Sequence, residues 1–303
     1  MPCEGNYEFD PQRGYIVPDM SGVVLRYGLG ENGVDADDGK KKVKFIVEHP
    51  NCLFLSLPSL DIDIETEITK YDLIYNICPY TTTYLNEKYN TNKIRTTFFP
   101  LPPLDFPTPS LEERQYSVFY SGHNISELPI TGIIHDTVRQ QLGDDLHNKL
   151  YGQISIKSYE SYKNKMAIYG KTKICVVHNL LTTNVPNKPS ADNAGALLHK
   201  HLPWLWDGSP TCPQLKSRVF EGAAAGCILL VYKDAFNIVE RYFTEGRDFL
   251  YFTDATDLEA KIDSVLNNLE AYAHLGRNAQ ARWRSNYTFQ HFLDTIQSQS
   301  VNC

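Results

Sequence analysis

The chain has 303 residues, 42% hydrophobic and 21% charged, with 36 acidic against 29 basic side chains and a formal net charge of −7. This describes one large or two ordinary globular domains with a sizeable core. The 19 Tyr and 14 Phe argue against disorder, the charge balance offers no basic footprint for nucleic acid, and seven cysteines without Cys-x-x-Cys spacing argue against a disulfide framework or a zinc site.

In chain order, the first fifteen residues are polar, without a secretory pattern, and no apolar run reaches the ~18 residues of a membrane span. A cytoplasmic, reducing location is expected, and the sequons at Asn124–Ser126 and Asn286–Thr288 are then chance matches. Four short runs rich in β-branched and aromatic residues, Gly22–Tyr27, Val43–Val47, Leu53–Leu57 and Tyr71–Ile77, predict buried strands. The lysines of Gly39–Lys44 predict a solvated loop leading into the second strand. Gly28, Gly30 and Gly33 form a Gly-x-Gly-x-x-Gly, with Glu48 at the distance of a ribose carboxylate. A dinucleotide fingerprint must also open a helix; the stretch after Gly33 is polar, so a loop is expected. Asp61 and Asp63 are oxygen ligands of the kind a divalent cation takes, but their alternation with Ile equally suits a surface strand or a helix start.

A strand at Ile94–Phe99 runs into five prolines between Pro100 and Pro109, an extended connector and the clearest domain boundary in the chain. The pattern then restarts: a strand in Tyr116–Gly122, a helix from Thr131 closing at Gly143, a strand in Lys171–Asn179, a helix over Gln214–Ala225, a strand in Cys227–Tyr232, a helix in Ala235–Phe243 and a strand in Asp248–Thr253. Thr256 and Glu259 have the spacing of a capping box before a further helix, and Arg277–Gln299 is helical and aromatic-rich. Alternating strands and helices predict an α/β protein with two Rossmann-like parallel sheets, whose ligands belong at the carboxyl ends of the strands. His123, His178 and Asn179 fall at two such ends. His199 and His201 have His-x-His spacing but no third ligand nearby, so Trp204 and Trp206 beside them are better read as packing or as a sugar-binding edge.

The stretch Leu215–Val231 sets Lys216, Arg218 and Glu221 against a Gly/Ala run. Pro213 suits a first helical turn, Gly226 suits the left-handed residue after a helix, and Gly222 and Gly226 permit close approach. A helix N-terminus attracts anions, two cations would strengthen a diphosphate site, and a carboxylate accepts from ribose hydroxyls. The other reading is a packed helix with a solvated charged end.

The segments Lys216–Val231, Phe243–Leu266 and Gly276–Ile296 resemble the C-terminal domain of GT-B glycosyltransferases, with spore-maturation-like and exostosin-like proteins as the look-alikes. The resemblance covers about Tyr71–Ile296 and is most specific from Lys173 on. It implies residues 1–102 as an N-terminal acceptor-side domain, 103–114 as linker, 115–284 as the nucleotide-sugar domain and 285–303 as a helix crossing back, the two domains facing across a cleft. Glu221 then matches the ribose-binding glutamate, Lys216 and Arg218 lie where basic residues meet the diphosphate, and Gly122 and His123 face the donor phosphates. Pro213, eight residues before Glu221, replaces the glutamate of the retaining families and leans toward inversion. The implied activity is metal-independent transfer from a nucleoside-diphosphate sugar, UDP-xylose or a UDP-hexose among those to test, to a glycan hydroxyl. Candidate bases are Asp19, Glu48, His49 and Asp72, with Glu48 and His49 favoured because they directly follow a predicted strand. Three alternatives stay open: a metal-dependent transferase using Asp61 and Asp63, a sugar-nucleotide epimerase, and a non-catalytic glycan-binding protein.

Overall fold

The computed structural model describes residues 8–10, 14–20, 23–27, 41–46, 68–69, 72–76, 79–99, 101, 106–122, 124–126, 128–154, 159–182 and 211–300. Gly28, Gly30, Gly33, Glu48, His49, the run Leu53–Leu57, Asp61, Asp63, His123 and the pair His199 and His201 lie outside them. The chain divides into two compact units, Met1–Phe99 with Thr183–Cys212 and Gln290–Cys303, and Pro100–Thr182 with Pro213–Phe289.

The first unit is built on a six-stranded sheet in sequential order: β1 (Glu8–Asp10), β2 (Gly14–Met20), β3 (Val23–Tyr27), β4 (Lys41–Ile46), β5 (Leu73–Asn76) and β6 (Ile94–Thr96). Strands β3 to β6 are parallel. The expectation of a wholly parallel sheet fails at β1 and β2, which are antiparallel to their neighbours. Pro18 lies within β2, where the register with β3 shifts between Val17 and Met20; a proline in a strand belongs at such an irregularity. Lys41 to Lys44 form the start of β4 itself and not a loop before it.

Helix α1 (Pro79–Lys88), which the sequence pattern did not reveal, joins β5 to β6. The side chain of Asn86 ties it to β6, accepting from the Ile94 N–H at 3.3 Å and donating to the Ile94 carbonyl at 2.8 Å.

The second unit carries an all-parallel sheet in the order β12-β11-β8-β7, from β7 (Tyr116–Phe119), β8 (Thr172–Val177), β11 (Ile228–Tyr232) and β12 (Phe249–Phe252). Helices α2 (Pro129–Leu142), α3 (Asp144–Gln153) and α4 (Tyr159–Gly170) connect β7 to β8. Short strands β9 (Leu180–Thr182) and β10 (Thr211–Pro213) precede α5 (Ser217–Ala224). Helices α6 (Ala255–Asn267), α7 (Leu269–Asn286) and α8 (Phe289–Ser300) close the described chain. Val118, Ile134, Val176, Leu230, Phe252 and Ile262 belong to one buried cluster covering the sheet. The sheet's hydrogen-bond demand is thus met inside a dry layer.

Three predicted elements change. Only a 3-10 turn, Ile238–Arg241, forms where a helix was expected over Ala235–Phe243. The cap of α6 is Asp254, whose Oδ1 accepts from the Asp257 N–H at 2.9 Å, so the helix begins before the Thr256–Glu259 pair. Helix α5 starts at Ser217, and Pro213 ends β10 instead of opening that helix.

The end of the expected linker is fastened to the second unit by Arg114, which is buried. Its guanidinium donates to the Thr172 and Ala225 carbonyls, both at 2.8 Å. Helix α8 falls with the first unit from Gln290 on; there the buried Phe292 meets the rings of Tyr75 and Phe98 edge-on at 5.6 and 6.3 Å.

Candidate functional site

Because β7, β8, β11 and β12 are parallel, their carboxyl ends share one edge of the sheet, the edge at which open α/β sheets bind ligands. Tyr120, Ser121 and Gly122 follow β7, and His178 and Asn179 follow β8. Helix α5 begins near this edge. Asn179 fixes its entry: the backbone carbonyl accepts from the Gln214 N–H at 2.8 Å, and Oδ1 accepts from the Lys216 N–H at 2.9 Å. Held this way, Gln214 to Lys216 stay outside the helix, and Lys216 becomes the cap residue with extended backbone at φ −100° and ψ 141°. The Lys216 side chain does not cap the helix, and no acid occupies its first turn. The positive end of the helix dipole faces whatever lies at that end.

The far end of α5 explains the small residues. Gly226 has φ +66°, a region open to glycine at little cost. The Cys227 N–H donates to the Gly222 carbonyl at 3.0 Å and the Gly226 N–H to the Ala223 carbonyl at 2.9 Å, the paired bonds of a Schellman stop. A Cβ on Gly222 would lie 2.6 Å from Leu229 Cδ2 and 2.9 Å from Cys175 Sγ. The partner that comes close to this Gly/Ala run is the sheet. On the same helix Phe220 is buried among Tyr242, Phe243 and Tyr287, at ring separations of 5.2, 5.8 and 5.6 Å.

Glu221 stands in the second turn of α5, completely buried. Its Oε1 accepts from Lys165 Nζ at 2.6 Å, a bond from α4 across 56 positions of sequence. Its Oε2 is buried and makes no hydrogen bond among the described residues, and neither does the amide nitrogen of Asn179. A buried carboxylate oxygen and a buried amide donor are expensive to leave unpaired, so each calls for a polar partner. Lys165 escaped the sequence reading: a lone lysine within Tyr159–Gly170 carries no spacing that would single it out.

The Arg218 guanidinium lies over the Tyr120 ring, 5.1 Å from its centroid. Tyr120 in turn meets His178, with its hydroxyl 2.9 Å from Nε2. The Leu180 N–H donates to His178 Nδ1 at 3.3 Å, which places the proton of a neutral imidazole on Nε2, donating to the tyrosine oxygen. Burial pushes the His178 pKa well below its usual 6.5, and the neighbouring charges of Arg218 and Lys216 push it further. Burial also raises the Tyr120 phenol, with Arg218 opposing. This group is therefore a neutral hydrogen-bond relay flanked by cations.

Gly122 sits where a Cβ would fall 2.1 Å from the Tyr120 hydroxyl, and its carbonyl is 2.9 Å from His135 Nε2. Lys216, Arg218, Glu221, Gly122, His178 and Asn179 thus all lie in the second unit, around the carboxyl ends of β7 and β8 and the start of α5.

The candidate bases are placed differently. Asp19 belongs to the last part of β2. That strand is antiparallel to β3, and its Met20 pairs with Val23, the first residue of β3. Asp19 therefore lies at the amino edge of the parallel strands, away from the edge where a ligand belongs. Asp72 immediately precedes β5 and has the same fault. The favoured pair, Glu48 and His49, lies outside the described residues.

The model of the glycosyl transferase-like family matches residues 134–298, more than half of the chain. No protein of curated function matches the sequence. Among solved structures, Anabaena Alr3699/HepE in complex with UDP is similar over 86% of this chain and 73% of its own, at 12% identity and TM-score 0.44. S. aureus TarM, in complex with Fondaparinux, alpha-GlcNAc-glycerol and UDP, is similar over 85% of this chain and 50% of its own, at 10% identity and TM-score 0.49. Sucrose-phosphate synthase from Thermosynechococcus elongatus is similar over 87% and 68%, at 12% identity and TM-score 0.48. The chain spans about half the length of TarM. At these identities and scores the neighbours carry no argument about activity; the match that decides is the family model, which spans α2 through most of α8 and includes Glu221. The chain belongs to the glycosyl transferase-like family.

Proposed function

We propose that the protein transfers a sugar from a nucleoside-diphosphate donor, UDP first among those to test, to a hydroxyl of a glycan acceptor, with inversion and without a metal ion. The observation that carries this reading is the buried Oε2 of Glu221, which makes no hydrogen bond among the described residues, on the helix whose start meets Asn179. A carboxylate oxygen suits a pair of ribose hydroxyls. Lys216, Arg218 and the positive end of the α5 dipole suit the diphosphate, whose negative charge grows as the sugar leaves. In that scheme Gly122 and His123 border the phosphates, and the amide nitrogen of Asn179 and the His178–Tyr120 relay meet a polar group of the donor.

Inversion requires a base within hydrogen-bond reach of the acceptor hydroxyl. Glu48 and His49 follow β4 in the sequence and are assigned that role within a GT-B arrangement, the first unit serving the acceptor. The acceptor oxygen loses its proton to the base and attacks the anomeric carbon, while the nucleoside diphosphate departs from the opposite face. Pro213 in place of a second glutamate supports inversion. Membership of the spore-maturation-like and exostosin-like group belongs to the same proposal. So does a reducing, cytoplasmic setting, which suits the buried free thiols of Cys175 and Cys227.

The test is turnover. The protein is incubated in EDTA with a panel of nucleoside-diphosphate sugars, UDP-xylose and UDP-hexoses included, with and without glycan acceptors, and products are separated by mass spectrometry. Acceptor-dependent release of UDP supports transfer. Conversion of the donor without acceptor identifies an epimerase. Turnover only with added divalent cation restores the reading built on Asp61 and Asp63. Glycan binding with no turnover makes the protein a binding module.

A further inference from the structure

Two residues of α4, one helical turn apart on the same face, each hold a different part of the candidate site. Tyr169, fully buried, shares a 2.8 Å hydrogen bond with the hydroxyl of Ser121, next to Gly122. Lys165, four positions earlier, holds Oε1 of Glu221 at 2.6 Å, with 11% of its side chain exposed and none of the glutamate's. Burying two charges this deeply gives no more stability than an apolar pair of the same volume, because desolvation consumes the Coulomb gain. The arrangement asks for another reason to exist, and the geometry of the glutamate supplies one. One oxygen is anchored, and the other is buried and makes no hydrogen bond among the described residues.

We infer that Lys165 is a positioning residue for nucleoside recognition. Its ammonium fixes the orientation of the Glu221 carboxylate, so that Oε2 is presented, already desolvated, to vicinal hydroxyls of a bound ribose. The inference rests on the nucleotide reading of Glu221 and adds a residue from a helix that lends no other named group to the ligand. A carboxylate held beforehand loses no rotamer freedom when the ligand arrives. Lys165 therefore acts on the ribose and leaves the diphosphate contacts of α5 unchanged.

The experiment compares two probes by titration calorimetry: UDP and 2′,3′-dideoxy-UDP, which lacks both hydroxyls. The ratio of their Kd values reads the ribose contribution alone. For the wild type a ratio of about tenfold or more is expected for hydroxyls bonded to a charged acceptor. In Lys165→Met the ratio is expected to fall to about threefold or less, through weaker UDP binding with dideoxy-UDP binding little changed. Removing one partner of a buried pair can unfold a protein, so Lys165→Gln, which keeps a donor for Oε1 but no charge, is measured alongside and is expected to give an intermediate ratio.

A purely structural role lowers the melting temperature and leaves the ratio intact; a wild-type ratio in whichever variant folds overturns the inference. Wild-type protein that binds neither probe refutes the nucleotide reading itself. Wild-type protein that binds both equally removes the ribose role of Glu221, and that of Lys165 with it.

Discussion

The hydroxyl of Tyr120 occupies the space where a side chain on Gly122 would begin, 2.1 Å from the position of its Cβ. Tyr120 can hold His178 only because Gly122 has no side chain. Gly122→Ala must push the Tyr120 ring out of place and break the 2.9 Å bond to His178. The expected cost is that of overpacking, about 1–3 kcal/mol, read as a lowered melting temperature together with weaker nucleotide binding. A variant with wild-type stability and affinity contradicts the placement of this loop.

His178 gives the protein an acid limb. Its folded pKa lies well below 6.5, so the unfolded state takes up its proton first as pH falls. The stability linked to it is complete above about pH 6.5 and declines below, by at most about 1.4 kcal/mol per pH unit for one proton. Burial lowers the His147 pKa as well, so the two add in the same direction. Thermal melts from pH 7.5 to 5 are expected to show a falling melting temperature, and His178→Gln to reduce the slope without abolishing it. An unchanged slope in that variant places the titration elsewhere.

Close docking of α5 is testable at two glycines. Gly222→Ala drives a methyl group toward Leu229 and Cys175, and about 1–3 kcal/mol of destabilisation is expected. Gly226→Ala forces an alanine to φ +66°, with a milder loss of about 1 kcal/mol. Denaturant midpoints measure both. Gly222→Ala is expected to be the worse, since its Cβ would press on Leu229 and Cys175 at 2.6 and 2.9 Å, whereas a Cβ on Gly226 meets the ends of the Gln280 and Arg114 side chains at 3.2 and 3.3 Å.

Glu221 and Lys165 form one unit energetically. Glu221→Gln leaves a buried ammonium without its counter-charge and is expected to cost about 3–5 kcal/mol, whereas the double variant Glu221→Gln with Lys165→Met, which buries no charge, is expected to recover most of that loss. Urea unfolding of the two single variants and the double variant measures the coupling. Additive losses would contradict a direct ion pair.

Much of the second unit was legible because its signals are local. The strand ending at Val177, the helix closing at Gly143 and the left-handed Gly226 are written in short apolar runs and in glycine placement. The helix at Leu215–Val231 was legible in kind but not in register. The sequence shows Pro213, but not that Asn179 holds the backbone N–H groups of Gln214 and Lys216 ahead of the helix. Lys165 and the Tyr120–His178 bond join residues 56 and 58 positions apart, and no spacing rule reports such pairs. The antiparallel β1 and β2 were missed for a different reason. Glu8–Asp10 and the Pro-containing Gly14–Met20 lack the apolar run of a central strand, as strands near a sheet edge are free to do. That omission made Asp19 look like a strand-end base, when its strand runs the other way.

The central claim is that the start of α5 and Glu221 grip a nucleoside diphosphate without a metal ion. Calorimetric titration of UDP into the wild type and Glu221→Gln, both in EDTA, tests it most directly. The account predicts saturable one-site binding to the wild type and at least about tenfold weaker binding to the variant. Equal affinity in the two proteins, or wild-type binding that appears only when a divalent cation is restored, would contradict it.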